Sequence, residues 1–518
     1  MRITKTLNPP VFFTSAGLLL AVLVAAVIFP STTVEILPAI YDAVAVYFGW
    51  FYILSIVGIF CFTLWLASSR YGSLKLGKDA DVPSFSTPTW FAMLFSAGMG
   101  IGLVFYGVAE PMLHYASPPT GAGSTPEAKS NALALTFHHW GLHAWAIYAV
   151  LGLAIAYFAY RRDLPLTLRS CFQPILGDRI HGWIGHGIDI LAVIGTLFGL
   201  ATSLGLGAMS VSVGFNRLFG LPHSTNTQLI LIAVITAAAT LSLVTGVDKG
   251  IRRLSEASMV ISAVLLVFVF TFGPTLEILH NLMEGIGVYL SGFVERSFRI
   301  GAHDPEGEGK WVRDWTVLYW GWWISWAPFV GMFVARISRG RTIREFILGV
   351  LLVPTAVTFV WFGVLGGAAL ALDAAGAPIA ESVTADHATA IYVMLAELPW
   401  PTISSFLAAI VVIIFFVSSS DSASYVVDML TSGGNPDPPV WQRVFWATAE
   451  GATAGVLLYA GGAQVLKALQ AGVVSIALPF CLLLVMLCFS LAKGLRSDPR
   501  FAAGPSAHSG ERSEEREN

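Results

Sequence analysis

The sequence predicts an all-α integral membrane protein with twelve transmembrane helices, and three observations carry that reading. Hydrophobic residues make up 55% of the 518 and charged residues only 12%, roughly half the charged share of an average soluble domain. Apolar stretches of about 18 residues or more, enough to cross about 30 Å of hydrocarbon, recur along the whole chain. Lys and Arg gather in alternate connecting segments, as topology bias requires.

The stretches lie near residues 11–30, 47–67, 89–112, 137–160, 186–215, 227–245, 257–275, 315–335, 346–372, 402–429, 443–461 and 466–492. Each is too long and too unpatterned for the alternating strands of a membrane barrel, whereas a helix satisfies its own backbone in lipid. With the N-terminus inside, 22 of the 29 Lys and Arg fall on cytoplasmic segments, so both termini are expected on the cytoplasmic side of a bacterial inner membrane. The first span has an apolar core long for a signal peptide and is expected to remain. The formal net charge of −3 says little about partners, and no nucleic acid is expected among them. Four cysteines without paired spacing predict neither a disulfide framework nor a cysteine metal site.

Residues 276–300 repeat apolar positions three and four apart between polar ones, which suggests an interfacial helix. The Gly- and charge-rich stretch Gly301 to Arg313 reads as an extracellular loop. A short polar tail follows residue 495.

Two spans break their helical pattern midway. The third carries Gly98, Gly100 and Gly102 at alternate positions, each costing about 1 kcal/mol of helix propensity relative to Ala. Small-residue helix packing is the plain alternative. The eighth carries Trp320, Trp322, Trp323 and Trp326 just before Pro328, with an aromatic girdle as its alternative. Unwound backbone at membrane depth is tolerated where it lines a cavity, and transporters use such segments to offer amides and carbonyls to cargo.

Trp140, Trp145 and Tyr148 of the fourth span share one face of a continuous helix, at roughly 0°, 140° and 80°. Trp323 and Trp326 lie about 60° apart on theirs. Two such faces turned together form a box. A quaternary ammonium group, which has no N–H to donate, is what ring faces compensate, at about 0.5–2 kcal/mol each.

The motifs closely resemble the betaine/choline/carnitine transporter (BCCT) family. They are Gly98-Met99-Gly100-Ile101-Gly102 with Phe105-Tyr106-Gly107 and Glu110-Pro111; His139-Trp140 through Ala144-Trp145-Ala146-Ile147-Tyr148; Trp322-Trp323-Ile324-Ser325-Trp326-Ala327-Pro328-Phe329; and Ser418-Ser419-Ser420-Asp421-Ser422. The resemblance covers nearly the whole chain. It implies a LeuT-like core of two inverted five-helix repeats after two extra helices, alternating access, and a homotrimer. The expected divisions are residues 1–88 for the two leading helices, 89–245 for the first repeat, 246–461 for the seventh helix, the interfacial helix and the second repeat, 462–495 for the last helix, and 496–518 for the tail.

By the same likeness Trp140, Trp145, Tyr148 and Trp323 form the substrate box and Trp326 stands near the cytoplasmic exit. Met99 marks the unwound stretch, and the backbone of Gly98, Gly100 and Gly102 faces the substrate carboxylate. Ser96, Met99, Phe415, Ser418 and Ser419 look like the family's main sodium site. Interhelical hydrogen bonding is the other reading of the serines. A second sodium site is in doubt, because Thr196 is followed one turn later by Leu200. The family's proton-using choline carriers often carry Asp where this chain has Gly102, and its carnitine-type exchangers replace the sodium with a basic or sulfur side chain; neither is evident here.

The expected function is therefore sodium symport of glycine betaine or a related solute, without an organic cofactor. Proton-coupled choline or carnitine transport or exchange, and ectoine or dimethylsulfoniopropionate as cargo, stay open. A receptor or channel for ammonium compounds is the alternative class, and only a histidine cluster supports an enzyme. Glu110 and Asp421 read either as proton relays or as helix caps and ion-pair partners. His139 and His143 have a His-x-x-x-His spacing that fits a metal, without a second ligand pair. Arg336, Arg339, Arg341 and Arg344 fit positive-inside topology or a contact with anionic lipid or another protomer. The short tail, with Glu511, Glu514, Glu515 and Glu517 among a few Arg, predicts weak osmotic regulation.

Overall fold

The apolar stretches fold as helices in a computed structural model, which describes residues 7–98, 100–245, 248–435, 437–461 and 465–502. No extended strand occurs among the described residues. In chain order the long helices are α1 (Pro9–Ile28), α2 (Pro30–Ser68), α3 (Thr87–Gly98), α4 (Ile101–Ala116), α5 (Pro126–Trp140), α6 (Leu142–Ala156), α7 (Trp183–Phe219) and α8 (Thr225–Thr245). They continue as α9 (Asp248–Phe272), α10 (Thr275–Ser291), α11 (Leu318–Ile337), α12 (Ile343–Ala374), α13 (Pro401–Thr431), α14 (Val440–Gly461) and α15 (Val465–Arg496).

Among the described residues eight helical stretches are long and apolar enough to cross a membrane, and a ninth counts if a bent pair is one span. The other expected spans are interrupted or diluted. Residues 89–112 are split between α3 and α4, α8 has a short apolar run, and α14 carries Glu450 in its middle. The bent pair is α9 and α10, turned by 110°. That turn frees α10 from α9's direction and lays its amphipathic face against α5 and α12.

Burial sorts the bundle into centre and rim. The most apolar windows of the α5–α6 stretch and of α7 are 89% buried, whereas that of α1 is 28% buried. Around the centre α6 packs on α11, α7 on α13, and α11 on α15. On α1 and α2 the apolar side chains Phe13, Leu18, Val24, Tyr47 and Leu54 point outward.

Sequence chemistry explains the ends of these elements. Thr125 caps α5 by accepting from Ala128 N at 3.2 Å, with Pro126 in the first turn. Thr342 and Glu345 form a reciprocal capping box at the start of α12. Gly220 ends α7 in the left-handed region, at φ 69°.

The arginines between α11 and α12 all find partners within the chain. Arg336 lies 4.7 Å over the ring of Tyr425, and Arg339 Nε is 3.3 Å from Asp81. Arg341 donates to Thr87 Oγ1 and Phe85 O, and Arg344 donates to Ala67 O at 2.7 Å. Arg339, Arg341 and Arg344 tie the end of α2 and the loop after it to the α11–α12 turn.

Candidate functional site

Two helix interruptions were expected, in the third and eighth spans; the first occurs, the second does not, and a break that was not expected interrupts the fourth span. The third span breaks: α3 ends at Gly98, and Gly100 is fully extended at φ −165° and ψ −178° before α4 begins. Met99 lies outside the described residues. The eighth span does not break, because α11 runs unbroken from Leu318 to Ile337 through Pro328. A proline there removes one donor, and the surrounding helices hold the turn together. The fourth span, read as continuous, is the one that breaks, at Gly141 (φ −97°, ψ −138°) between α5 and α6.

The shared face inferred for Trp140, Trp145 and Tyr148 therefore fails as a wheel argument, since Trp140 closes α5 while the other two belong to α6. The three still meet, because the break redirects the chain. A Cβ on Gly141 would stand 2.5 Å from Phe137 O and 3.0 Å from the Phe359 ring, so this bend needs glycine.

A cavity of about 140 Å³ opens between the two breaks and α11, room for several waters or one small solute. Trp140, Trp145, Tyr148, Trp323 and Trp326 all line it, with Gly100 and Gly102. The rings of Trp140 and Trp323 meet edge to face at 4.8 Å, Tyr148 stands 6.5 Å from Trp323, and Trp145 packs on Tyr148 at 5.3 Å. Gly98 closes α3 at the unwound end.

Phe333, Ser203 and Thr358, which sequence reading did not name, also line the cavity, as do Trp322, Phe329 and Ser422, which it named in motifs without placing them in the substrate box. The signal was present on α11. Residues 322, 326, 329 and 333 recur at helical spacing on one face. Trp322 also stacks flat on Trp323, at 4.9 Å and 10°.

Behind the box one carboxylate collects four donor groups. Trp140 Nε1 donates to Glu110 Oε2 at 2.6 Å, and Tyr319 Oη donates to the same oxygen. His139 Nδ1 is 2.7 Å and His114 Nε2 3.2 Å from Oε1. Glu110, His114 and His139 are fully buried. Their ligand atoms lie within 4.8 Å of one another, yet Trp140 and Tyr319 already fill the carboxylate's other oxygen and His139 Nε2 faces Thr316 Oγ1 at 3.1 Å. The group is thus a hydrogen-bonded hub. The His-x-x-x-His pair does not converge: His143 Nε2 faces Ser297 Oγ at 3.0 Å instead. Trp323 is held separately, donating from Nε1 to His139 O at 2.8 Å.

Helix α12 reaches a backbone carbonyl beside each break, and that of Trp140, at the C-terminal end of α5, is one the helix itself leaves open. Trp361 Nε1 donates to Leu103 O at 2.8 Å, and Thr358 Oγ1 to Trp140 O at 3.3 Å.

On the opposite wall Ser96 of α3 and Ser418 and Ser419 of α13 line the same cavity. Phe415 is buried, and its carbonyl accepts from Ser418 Oγ at 3.3 Å. Hydroxyl and carbonyl oxygens of this kind are the hard donors an alkali cation takes. The Thr196 hydroxyl instead donates to Ala192 O at 2.8 Å within its own helix.

Along α11 the cavity reaches from Trp322 to Phe333, roughly 16 Å at 1.5 Å per residue. At the other end Tyr106 packs against Trp140, Tyr319 and Trp322, with ring centres 5.8–6.3 Å apart. Beyond this layer is a second cavity of about 270 Å³, lined by Tyr41, Asp42, Tyr106, Trp315 and Gln470 among others.

Comparison with known proteins fits this geometry. Residues 10–500 match the profile of BCCT, betaine/carnitine/choline family transporter. The chain is 44% identical over 495 residues to a glycine betaine transporter of Acinetobacter baylyi, covering 95% of this chain and 74% of the relative. It is 43% identical to a probable glycine betaine transporter of Desulfitobacterium hafniense, covering 96% and 99%. It is also 43% identical to a glycine betaine/proline/choline/ectoine transporter of Vibrio parahaemolyticus, covering 95% and 88%. With nearly its whole length matched, the chain belongs to the betaine/carnitine/choline transporter family.

Proposed function

We propose that the chain carries glycine betaine or a closely related compatible solute across the bacterial inner membrane by sodium symport, both termini lying in the cytoplasm. The carrying observation is the cavity at the broken α3–α4 helix, walled by Trp140, Trp145, Tyr148 and Trp323. Ring faces compensate a quaternary ammonium diffusely, while free amides at the start of α4 suit its carboxylate. Sodium is assigned to Ser96, Met99, Phe415, Ser418 and Ser419. The helix order supports twelve spans with a LeuT-like core of two inverted repeats, the second beginning near α11, and the outward apolar faces of α1 and α2 support lipid contact. A homotrimer is the assembly we assign, on the family's likeness. With the topology set by the basic loops, the cavity extends toward the cytoplasm and the Tyr106–Tyr319 layer closes the outside, an inward-facing stage of alternating access.

The test is uptake of radiolabelled glycine betaine into proteoliposomes under an inward sodium gradient and, separately, a proton gradient. Accumulation driven by sodium is expected; accumulation driven by protons alone would replace the coupling ion. Trp323→Leu removes one ring face and is expected to weaken binding by about 1–2 kcal/mol; unchanged affinity would take Trp323 out of the box. Ser419→Ala is expected to raise the sodium concentration for half-maximal uptake, and an unaltered sodium response would move the ion elsewhere.

A further inference from the structure

Helix α13 carries a second polar stripe on the side turned to α14. Ser420, Ser424 and Asp428 recur every four residues and so share one face. The hydroxyls of Ser420 and Ser424 both donate to Glu450 Oε2 of α14, each at 3.0 Å. Glu450 and Asp428 are 0% exposed. Glu450 Oε1 and both carboxylate oxygens of Asp428 receive no hydrogen bond from the described residues.

The charged and titratable groups around this stripe are few among the described residues. Asp428 and Asp421, both on α13, act electrostatically on Glu450. Arg443 at the start of α14 acts on Asp428 through space, while its guanidinium lies 3.6 Å from Asp437 and over the Tyr425 ring. Arg336 of α11 also lies over the Tyr425 ring, 4.7 Å from its centre. From α8 comes Thr236, packed against Gly451, and from α1 the ring of Phe12 against Trp446.

Two ionised carboxylates with no ion pair to either among the described residues cost several kcal/mol each inside a membrane bundle, and carboxylates in such places are retained for ion or proton traffic. Three open oxygens fall short of the roughly six that a hard metal cation gathers. We propose that Asp428 and Glu450 form a proton-binding site, one of the two carboxylates taking up a proton, on α13, which lines the cavity, and on α14 packed against it. Solvent supplies the proton, one carboxylate gains an O–H bond, and release restores the anion. Ionised Glu450 grips Ser420 and Ser424 through charge-assisted bonds, about twice as strong as neutral ones. Protonation loosens that grip two residues from Ser418 and Ser422. The site thus sets a pH dependence on movement of α13, and only its transport readout rests on the transporter reading.

The experiment is pH-difference infrared spectroscopy on the full chain in lipid nanodiscs, across about pH 5 to 9, paired with glycine betaine uptake at the same pH values. A carboxylic C=O band that titrates, and is lost in both Glu450→Gln and Asp428→Asn, is expected. Uptake by the parent protein is expected to change about threefold or more over that range, and both variants to flatten the profile. Ser424→Ala, the milder change, is expected to shift the band without abolishing it. A band identical in all variants overturns the site, and a band that follows sodium at fixed pH reassigns it to a metal cation and overturns the proton. Absence of glycine betaine uptake with the band intact counts against the assigned cargo and leaves the proton site standing.

Discussion

Glu110→Gln is expected to lower the affinity for glycine betaine about tenfold or more, read from quenching of the box tryptophans. The carboxylate accepts from Trp140 and Tyr319 on one oxygen and faces two histidines on the other. An amide turns one of these acceptor positions into a donor. At least one buried donor then loses its acceptor, at about 1–3 kcal/mol, and tenfold corresponds to about 1.4 kcal/mol. Because Trp140 both lines the cavity and donates to Glu110, the loss is expected to reach the proposed cargo site directly. Glu110→Asp, which keeps the charge on a shorter arm, is expected to fall between. A folded Glu110→Gln protein with parental affinity would remove this carboxylate from the support of the box.

Gly102→Val is the second large effect. A Cβ at Gly102 would stand 3.0 Å from Trp140 Cη2 and 3.1 Å from Trp322 Cη2, so even Ala requires both indoles to give by a few tenths of an ångström. The branched side chain pushes them into the cavity, and overpacking costs about 1–3 kcal/mol. Binding is expected to fall about tenfold or more. Gly100→Ala is the control: no atom lies within 4 Å of a Cβ there, and its extended backbone is open to any residue. Equal losses in the two variants would show that backbone freedom, not space, is what this stretch needs.

Much of this architecture was legible in the sequence because lipid imposes long apolar runs and side chains of one kind per face. The third span announced its break through three glycines at alternate positions. The fourth did not, since Gly141 is a single glycine between Trp140 and Leu142, and only the close approach of Phe137 O and Phe359 shows why it bends. The four tryptophans of α11 gave the opposite error. Their density suggested a break, but they are there to be packed, with Trp322 and Trp323 stacked on an unbroken helix. Glu110 could not be assigned beforehand, because most of its partners lie 29, 30 and 209 residues away. Phe329 and Phe333 were readable as a continuation of the Trp322–Trp326 face; what was missing was the knowledge that this face borders a cavity.

The two hydrogen bonds that α12 sends out, from Trp361 to Leu103 O and from Thr358 to Trp140 O, have a mechanical meaning. They splint both broken helices to one continuous rod. Segments pinned this way are expected to move together, so in the proposed alternating access α4, α5 and α12 would act as one body and displace the motion to the contacts that body makes with its neighbours. Backbone amides near both kinks are then expected to exchange with solvent deuterium in step rather than independently, which would make α12, a helix whose Thr358 alone touches the cavity, the keel of such a body.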